Sequence, residues 1–92
     1  MNTAGMGVWV FNGDNSNFPS GVFSSQEKAE ETIAKHKLSG ILTEYGMDVL
    51  VYDWAIDNEH FKPKRDDQRT ATFMQTFTSA SQKHFHYENG ER

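Results

Sequence analysis

The sequence predicts a small α+β domain in which one main helix packs on one face of an antiparallel sheet. Three observations support this fold class. Val8–Phe11 is β-branched and aromatic throughout, which is typical of an interior strand. A short second strand leads directly into a capped helix, and alternating residues near the C-terminus indicate a last strand. The expected order is β-β-α-β followed by a C-terminal β-hairpin.

The first half of the chain contains the predicted hairpin and the helix. Val8–Phe11 and Val22–Phe23 are separated by the polar loop Asn12–Ser20. Ser24 stands at the expected N-cap of the helix, and Glu27 follows three residues later as in a capping box. The predicted helix runs from about Ser25 to Leu38, with Gly40 as its C-terminal stop and a buried side formed by Ala29, Ile33 and Leu38.

After the helix, the pattern predicts a connection over 41–46 and a strand over Met47–Trp54, followed by a short helical turn to Phe61. Lys62–Arg69 is rich in charge, and we expect a mobile loop there.

Thr70–Thr78 fits both helical and alternating periodicity. Its four threonines favour a strand, because β-branched residues disfavour helices, while a helix is the alternative. Lys83–Tyr87 is the predicted last strand, with Phe85 and Tyr87 facing inward.

Composition limits the classes of function. The 92 residues predict one domain, 1–92, and the net charge of −4 argues against nucleic-acid binding, which needs a basic surface. The chain has no cysteine, so it has no disulfide and no thiolate metal site. Residues 1–5 lack the features of a signal peptide, and no apolar run approaches the ~20 residues of a membrane span. We therefore expect a soluble cytoplasmic protein that binds no membrane.

His84 and His86 are the candidate metal ligands, because residues two apart on a strand project to the same face. A metal site usually needs a third ligand, and none stands at a fixed spacing from this pair. We therefore expect two solvent-facing histidines, no metal and no cofactor. A metal-binding protein or enzyme that uses His84 and His86 is the alternative hypothesis.

No set of residues predicts catalysis. The carboxylates at and just after the end of the predicted third strand are accompanied by no nucleophile, oxyanion donor or phosphate-binding loop; they are Asp53, Asp57 and Glu59. The spacing Asn12-x-Asp14-x-Ser16 lacks the glycine and the glutamate of a calcium-binding loop. The sequence therefore predicts no enzyme.

Two polar segments, Asn12–Ser20 and Asp57–Arg69, are the expected partner-binding regions, because long loops in small domains often carry function. Four residues are the candidate contacts: Asp14, Phe18, Asp57 and Phe61. Each segment includes an aromatic ring among polar residues. Burial of the Phe18 ring in the core is the favoured hypothesis, because exposed apolar rings are unfavourable, and a role as an exposed anchor is the alternative.

Four blocks of the sequence resemble a small bacterial family of similar chain length, a domain of unknown function; they are residues 8–13 (VWVFNG), 18–23 (FPSGVF), 51–56 (VYDWAI) and 77–90 (FTSASQKHFHYENG). The resemblance covers nearly the whole chain. It implies a bacterial cytoplasmic protein and assigns no catalytic residue or ligand.

The resulting functional hypothesis is a non-catalytic protein-interaction module, such as an inhibitor or immunity-type factor. Small size, acidity and aromatic richness support it, and some small acidic proteins of similar layout have such roles. The identity of the protein partner stays open, as does the choice between monomer and homodimer. A self-associating structural module, which pairs through a sheet edge, is a further alternative.

Overall fold

A computed structural model describes residues 7–92; Met6 and the N-terminal segment considered above lie outside the described residues. The chain divides into two units. The sheet unit contains residues 7–47 and Gln82–Arg92, and the helical unit is Asp48–Ser81, inserted between them in sequence.

The sheet unit is built on a four-stranded antiparallel sheet, which confirms the predicted α+β class. The strands have the spatial order β2-β1-β3-β4. Their bounds are β1 Val8–Gly13, β2 Gly21–Phe23, β3 Gly40–Tyr45 and β4 His84–Tyr87. The predicted β1–β2 hairpin and the predicted last strand are both present. β1 lies between β2 and β3, as its apolar residues on both faces predict.

One helix, α1 (Gln26–His36), supplies the other side of the core. Alternation along the strands points one set of side chains toward it. The buried core consists of Trp9, Phe11, Ala29, Ile33, Leu42 and Tyr87, with Phe23, Leu38 and Phe85 packed against it. The inward positions of Phe85 and Tyr87 and the buried side of the helix agree with the sequence predictions.

The start of α1 differs by one residue from the prediction. Ser25, not Ser24, is the N-cap, and its Oγ accepts a hydrogen bond from the Lys28 amide at 3.2 Å. Ser25 has the extended backbone angles of an N-cap residue. The residue three positions after this cap is Lys28 rather than Glu27, so the predicted capping box with Glu27 is wrong. Glu27 instead places its charge in the first turn, where the helix dipole favours it.

The end of α1 also differs from the prediction, because Lys37 rather than Gly40 terminates the helix. Lys37 adopts a left-handed conformation with φ 53°, and the amides of Lys37 and Leu38 donate to the carbonyl oxygens of Ala34 and Ile33. Gly40 is instead the first residue of β3.

The segment 41–46, predicted as a connection, is almost entirely in β3, an interior strand that pairs with both β1 and β4. Burial alternates over its first three residues, with Gly40 and Leu42 buried and Ile41 exposed. The prediction was wrong because this strand is defined by its pairing with β1 and β4, which are distant in the sequence.

The helical unit replaces two predicted strands with helices. Met47–Trp54 was predicted to be a strand, but helix α2 occupies Val51–Asp57. Thr70–Thr78 was predicted to be a strand, but helix α3 occupies Ala71–Thr76, so the helical alternative is correct there. A short 3₁₀ helix, Asp66–Arg69, precedes α3. β4 therefore forms no hairpin with the preceding segment and pairs with β3.

Aromatic packing explains why these β-prone segments are helical. Tyr52 on α2 lies 5.6–6.2 Å, between ring centroids, from each of Phe61, Phe73 and Phe77. Phe73 and Phe77 are four residues apart in the sequence, and helical backbone brings residues at this spacing to the same side. Both rings therefore contact Tyr52. The Thr70 hydroxyl accepts a hydrogen bond from the Phe73 amide at 3.2 Å and caps α3, so a threonine that suggested a strand starts a helix.

Local hydrogen bonds connect residues within the charged segment between these helices. The Gln68 side-chain oxygen accepts hydrogen bonds from the Lys64 amide at 2.7 Å and the Arg65 amide at 3.2 Å. Arg65 also pairs with Asp67 at 3.0 Å. The mobility of residues 62–69 stays a prediction.

A polar network joins α1 to β4 in the sheet unit. The Tyr87 hydroxyl donates to Glu30 Oε2 at 2.5 Å, and Arg92 Nε lies 3.4 Å from the same oxygen. The hydrogen bond from Tyr87 lowers the pKa of the Glu30 carboxyl, partial burial opposes this, and Gln26 and Arg92 lower it further. Burial, aided by the Glu30 carboxylate, raises the pKa of Tyr87 above its usual range.

Replacement of Ser25 by alanine should lower the free energy of unfolding by about 1 kcal/mol, because the Lys28 amide loses its acceptor. Urea denaturation should show a lower midpoint with an unchanged slope. Ser24→Ala is the matched control and should leave the midpoint unchanged. The reverse result would show that the helix begins one residue earlier.

Replacement of Glu30 by glutamine should destabilise the protein more at pH 7 than at pH 3. The pKa of Glu30 is lower in the folded state than in the unfolded chain, so its stabilising effect is present above about pH 4.5 and is lost as the pH falls through the folded-state value. Urea denaturation at both pH values measures the difference. Glu31→Gln, at the exposed neighbouring position, is the control. An equal loss of stability at both pH values would contradict this assignment.

Candidate functional site

The outer face of the sheet, opposite α1, exposes apolar side chains. Alternation along the four strands defines this face as Val8, Val10, Asn12, Val22, Ile41, Thr43, Tyr45, His84 and His86. Val22 is 66% exposed and Ile41 is 37% exposed. Large exposed apolar side chains that share one face are typical of a contact surface.

The strand register arranges these residues in three rows across the sheet. One row runs from Val22 through Val10 and Thr43 to His84. A second row contains Asn12, Ile41 and His86, and the third pairs Val8 with Tyr45. Directly opposed side chains on adjacent strands lie within contact distance, so each row forms a continuous strip, and the two rows that reach β4 each end in an imidazole.

The β1–β2 loop presents the most exposed large apolar side chain of the described chain, Phe18, at 77% exposure. The predicted burial of this ring in the core is therefore wrong, and its exposure matches the alternative. The buried core is formed by other residues and does not include Phe18.

Ser16 holds the backbone at Phe18. Its hydroxyl donates to the Phe18 carbonyl oxygen at 2.7 Å and lies 3.3 Å from the Phe18 amide, while the Asn12 side chain donates to the Ser16 carbonyl oxygen at 3.1 Å. The Asp14 amide donates to the Ser39 carbonyl oxygen at 3.0 Å, and the Asp14 side chain is exposed. The loop thus fixes the backbone that carries an aromatic ring and an acidic group.

His84 and His86 both lie exposed on the outer face, as predicted for alternate residues of the last strand. Their ring centroids are 5.4 Å apart, and the ring planes are inclined by 73°. His84 Nδ1 lies 2.8 Å from the Gln82 carbonyl oxygen. Among residues 7–92, no group of three or more histidine, aspartate or glutamate side chains is arranged to hold a metal ion.

The other two predicted contact residues lie in the helical unit. Asp57 is the exposed last residue of α2. Phe61 is half-buried, with its ring centroid 4.7 Å from that of Phe77 and 5.9 Å from that of Phe73. Its position in this cluster makes packing the dominant role of the ring.

A shallow cleft of about 850 Å³ lies beside Phe61, lined also by Ile56, Glu59, His60, Lys62, Lys64 and Gln68. The cleft mixes apolar and charged side chains of both signs. The arrangement includes no nucleophile paired with a base, so it indicates no reaction class.

The exposed residues of the outer face were the part that sequence reasoning missed. Val22 was predicted to be in a strand, but Ile41 was assigned to a connection, so no continuous surface could be recognised. The available signal was the alternation of Ile41, Thr43 and Tyr45 with Leu42.

Within residues 7–92, no helix has the length and apolar character that crossing a membrane requires. Neither a curated protein nor a solved structure matches the chain. A family described as Domain of unknown function (DUF7710) matches residues 8–92, which include both units from β1 to the C-terminus. The chain belongs to this family.

Proposed function

We propose that the chain is a non-catalytic protein-interaction module whose partner binds the β1–β2 loop and the outer face of the sheet. The exposure of Phe18 is the observation that carries this proposal. An aromatic side chain on a fixed backbone loses little conformational entropy on binding, and such residues are common at the centres of interfaces. Val22, in the strand that follows the loop, adds exposed aliphatic surface.

The charge of the chain favours a particular kind of partner. The net charge is −4, and Asp14 places an exposed carboxylate in the same loop as Phe18. A protein with an apolar pocket and a basic rim would complement this arrangement, and opposite charge would accelerate association. An inhibitor or immunity-type factor in the bacterial cytoplasm, which neutralises a basic protein, fits these features.

Asp57–Arg69 remains a proposed second contact segment. Because Phe61 is packed among Tyr52, Phe73 and Phe77, exposed Asp57 is the better probe of binding by this segment. Phe61→Ala would mainly report on packing.

Self-association is the second candidate function. Exposed Val22 and Ile41 lie on the outer face, where a second copy of the chain could cover them. Light scattering over a range of protein concentrations distinguishes a homodimer from a monomer. A Val22→Asp variant should remain monomeric at every concentration if this face forms the dimer.

Phe18→Ala should weaken binding of the partner by roughly 2 kcal/mol or more, about thirtyfold, because an interface anchor is lost. The melting temperature should change little, since the ring is largely exposed. Affinity capture from the native host, quantified for the wild type and the variant, identifies the proteins whose recovery depends on Phe18. Titration calorimetry with each purified protein then measures the affinity.

Asn17→Ala is the matched control, since Asn17 is the exposed polar neighbour of Phe18 in the same loop. It should retain both binding and stability. Equal recovery of every captured protein by the wild type and Phe18→Ala would rule out this ring as the anchor. A fall of several degrees in the melting temperature of Phe18→Ala would show that the ring stabilises the fold.

A further inference from the structure

We infer that His84 and His86 form an open chelating site for a divalent transition-metal ion of the nickel, copper and zinc group. The two residues alternate with Phe85 on β4, and Phe85 packs against the core. The strand therefore directs both imidazole rings to the outer face, where both are exposed. Neither ring contributes to the buried core, which leaves both free to bind an external ligand.

A hydrogen bond selects the nitrogen of His84 that would bind the metal. The Gln82 carbonyl oxygen can only accept, so Nδ1 of His84, 2.8 Å away, carries the proton. In the neutral imidazole, Nε2 then has the free lone pair. Metal-binding histidines commonly donate their other N–H to a backbone carbonyl in this way, which fixes the tautomer and orients the ring.

This orienting contact is itself well anchored. Gln82 is buried, and its side-chain amide donates to the Glu44 carbonyl oxygen at 3.2 Å. The Lys83 carbonyl oxygen accepts a hydrogen bond from the Glu44 amide at 2.9 Å. The backbone leading into β4 is thus fixed to β3, so the acceptor that orients His84 is held in place.

The separation of the rings matches chelation of one ion. A metal about 2.1 Å from one nitrogen of each ring would lie about 3.2 Å from each ring centroid. The centroids would then be about 4.5 Å apart for a right angle at the metal and about 5.2 Å apart for a tetrahedral angle. The observed separation is 5.4 Å, close to the tetrahedral value, and both side chains are exposed and can turn their ring nitrogens toward one ion.

Two imidazoles leave the remaining coordination positions to water or to an incoming donor. Imidazole nitrogen is a good ligand for nickel, copper and zinc and a poor one for magnesium and calcium. With only two protein ligands, binding should be reversible and weaker than in a closed structural site, and removal of either histidine should abolish chelation. An open position on the outer face also suits a donor group supplied by a binding partner.

Titration calorimetry of the metal-free protein with Ni²⁺ tests this site. We expect one ion per chain, and His84→Gln and His86→Gln should each weaken binding by roughly tenfold to a hundredfold, because the remaining ring loses the advantage of two-point attachment. Zn²⁺ should bind more weakly than Cu²⁺, following the usual order of affinities. His36→Gln is the matched control, since His36 is exposed on α1, and it should bind Ni²⁺ as the wild type does.

A nuclear magnetic resonance titration of the wild-type protein locates the ion without any substitution. Paramagnetic Ni²⁺ should broaden the amide signals of β4 and of the cross-strand neighbours Ile41 and Thr43 before those of α1. Absence of Ni²⁺ binding, unchanged affinity in the His84→Gln/His86→Gln double variant, or broadening centred on His36 or His60 would each overturn the proposal.

Discussion

Gly40 lies where β3 meets both of its neighbours, opposite Gly13 of β1 and Tyr87 of β4. A Cβ atom at this position would stand 2.8 Å from the Gly13 Cα and 2.8 Å from the Phe11 ring, which is closer than real contacts allow. The close approach therefore depends on the absence of a side chain. A one-residue shift in the pairing of β3 with β1 or with β4 would exchange the buried and exposed faces of the strand.

The register of β3 with its two neighbours determines which surface the protein exposes. It directs Leu42 into the core beneath α1 and Ile41 to the outer face, and it places Ile41 opposite His86. At the end of the sheet, Tyr87 donates its hydroxyl hydrogen bond to Glu30 and so attaches β4 to the helix. The proposed binding surface and the proposed metal site both depend on this arrangement, because each uses side chains that the register turns outward.

The sequence predicted the parts of the fold in which a local pattern and the final packing agree. Val8–Phe11 is apolar on both faces and became an interior strand, and alternation identified β4 with its inward Tyr87. The predictions failed where distant contacts decide the structure. Val51 and Tyr52 suit a strand by intrinsic preference, yet they lie in a helix. There Tyr52 packs against the rings of Phe73 and Phe77, which are distant in the sequence.

The candidate site was predictable only in part, for a related reason. His84 and His86 could be placed on one face because alternation is a local property. The exposure of Phe18 could not be predicted, because it depends on whether the core has space for another ring. The hydrogen bond between His84 and Gln82 is local in sequence, but its rigidity depends on the contact of Gln82 with Glu44, far away along the chain.

The insertion of the helical unit between β3 and β4 has a consequence for the folding pathway. The hairpin, α1 and β3 are contiguous in sequence, whereas β4 must find β3 across the whole of Asp48–Ser81. Bringing β4 to β3 closes a loop of this length, and the chain loses conformational entropy before the strand pairing adds any stability. We therefore expect β4 to join a sheet that has already formed, so that substitutions in β4 accelerate unfolding more than they slow folding.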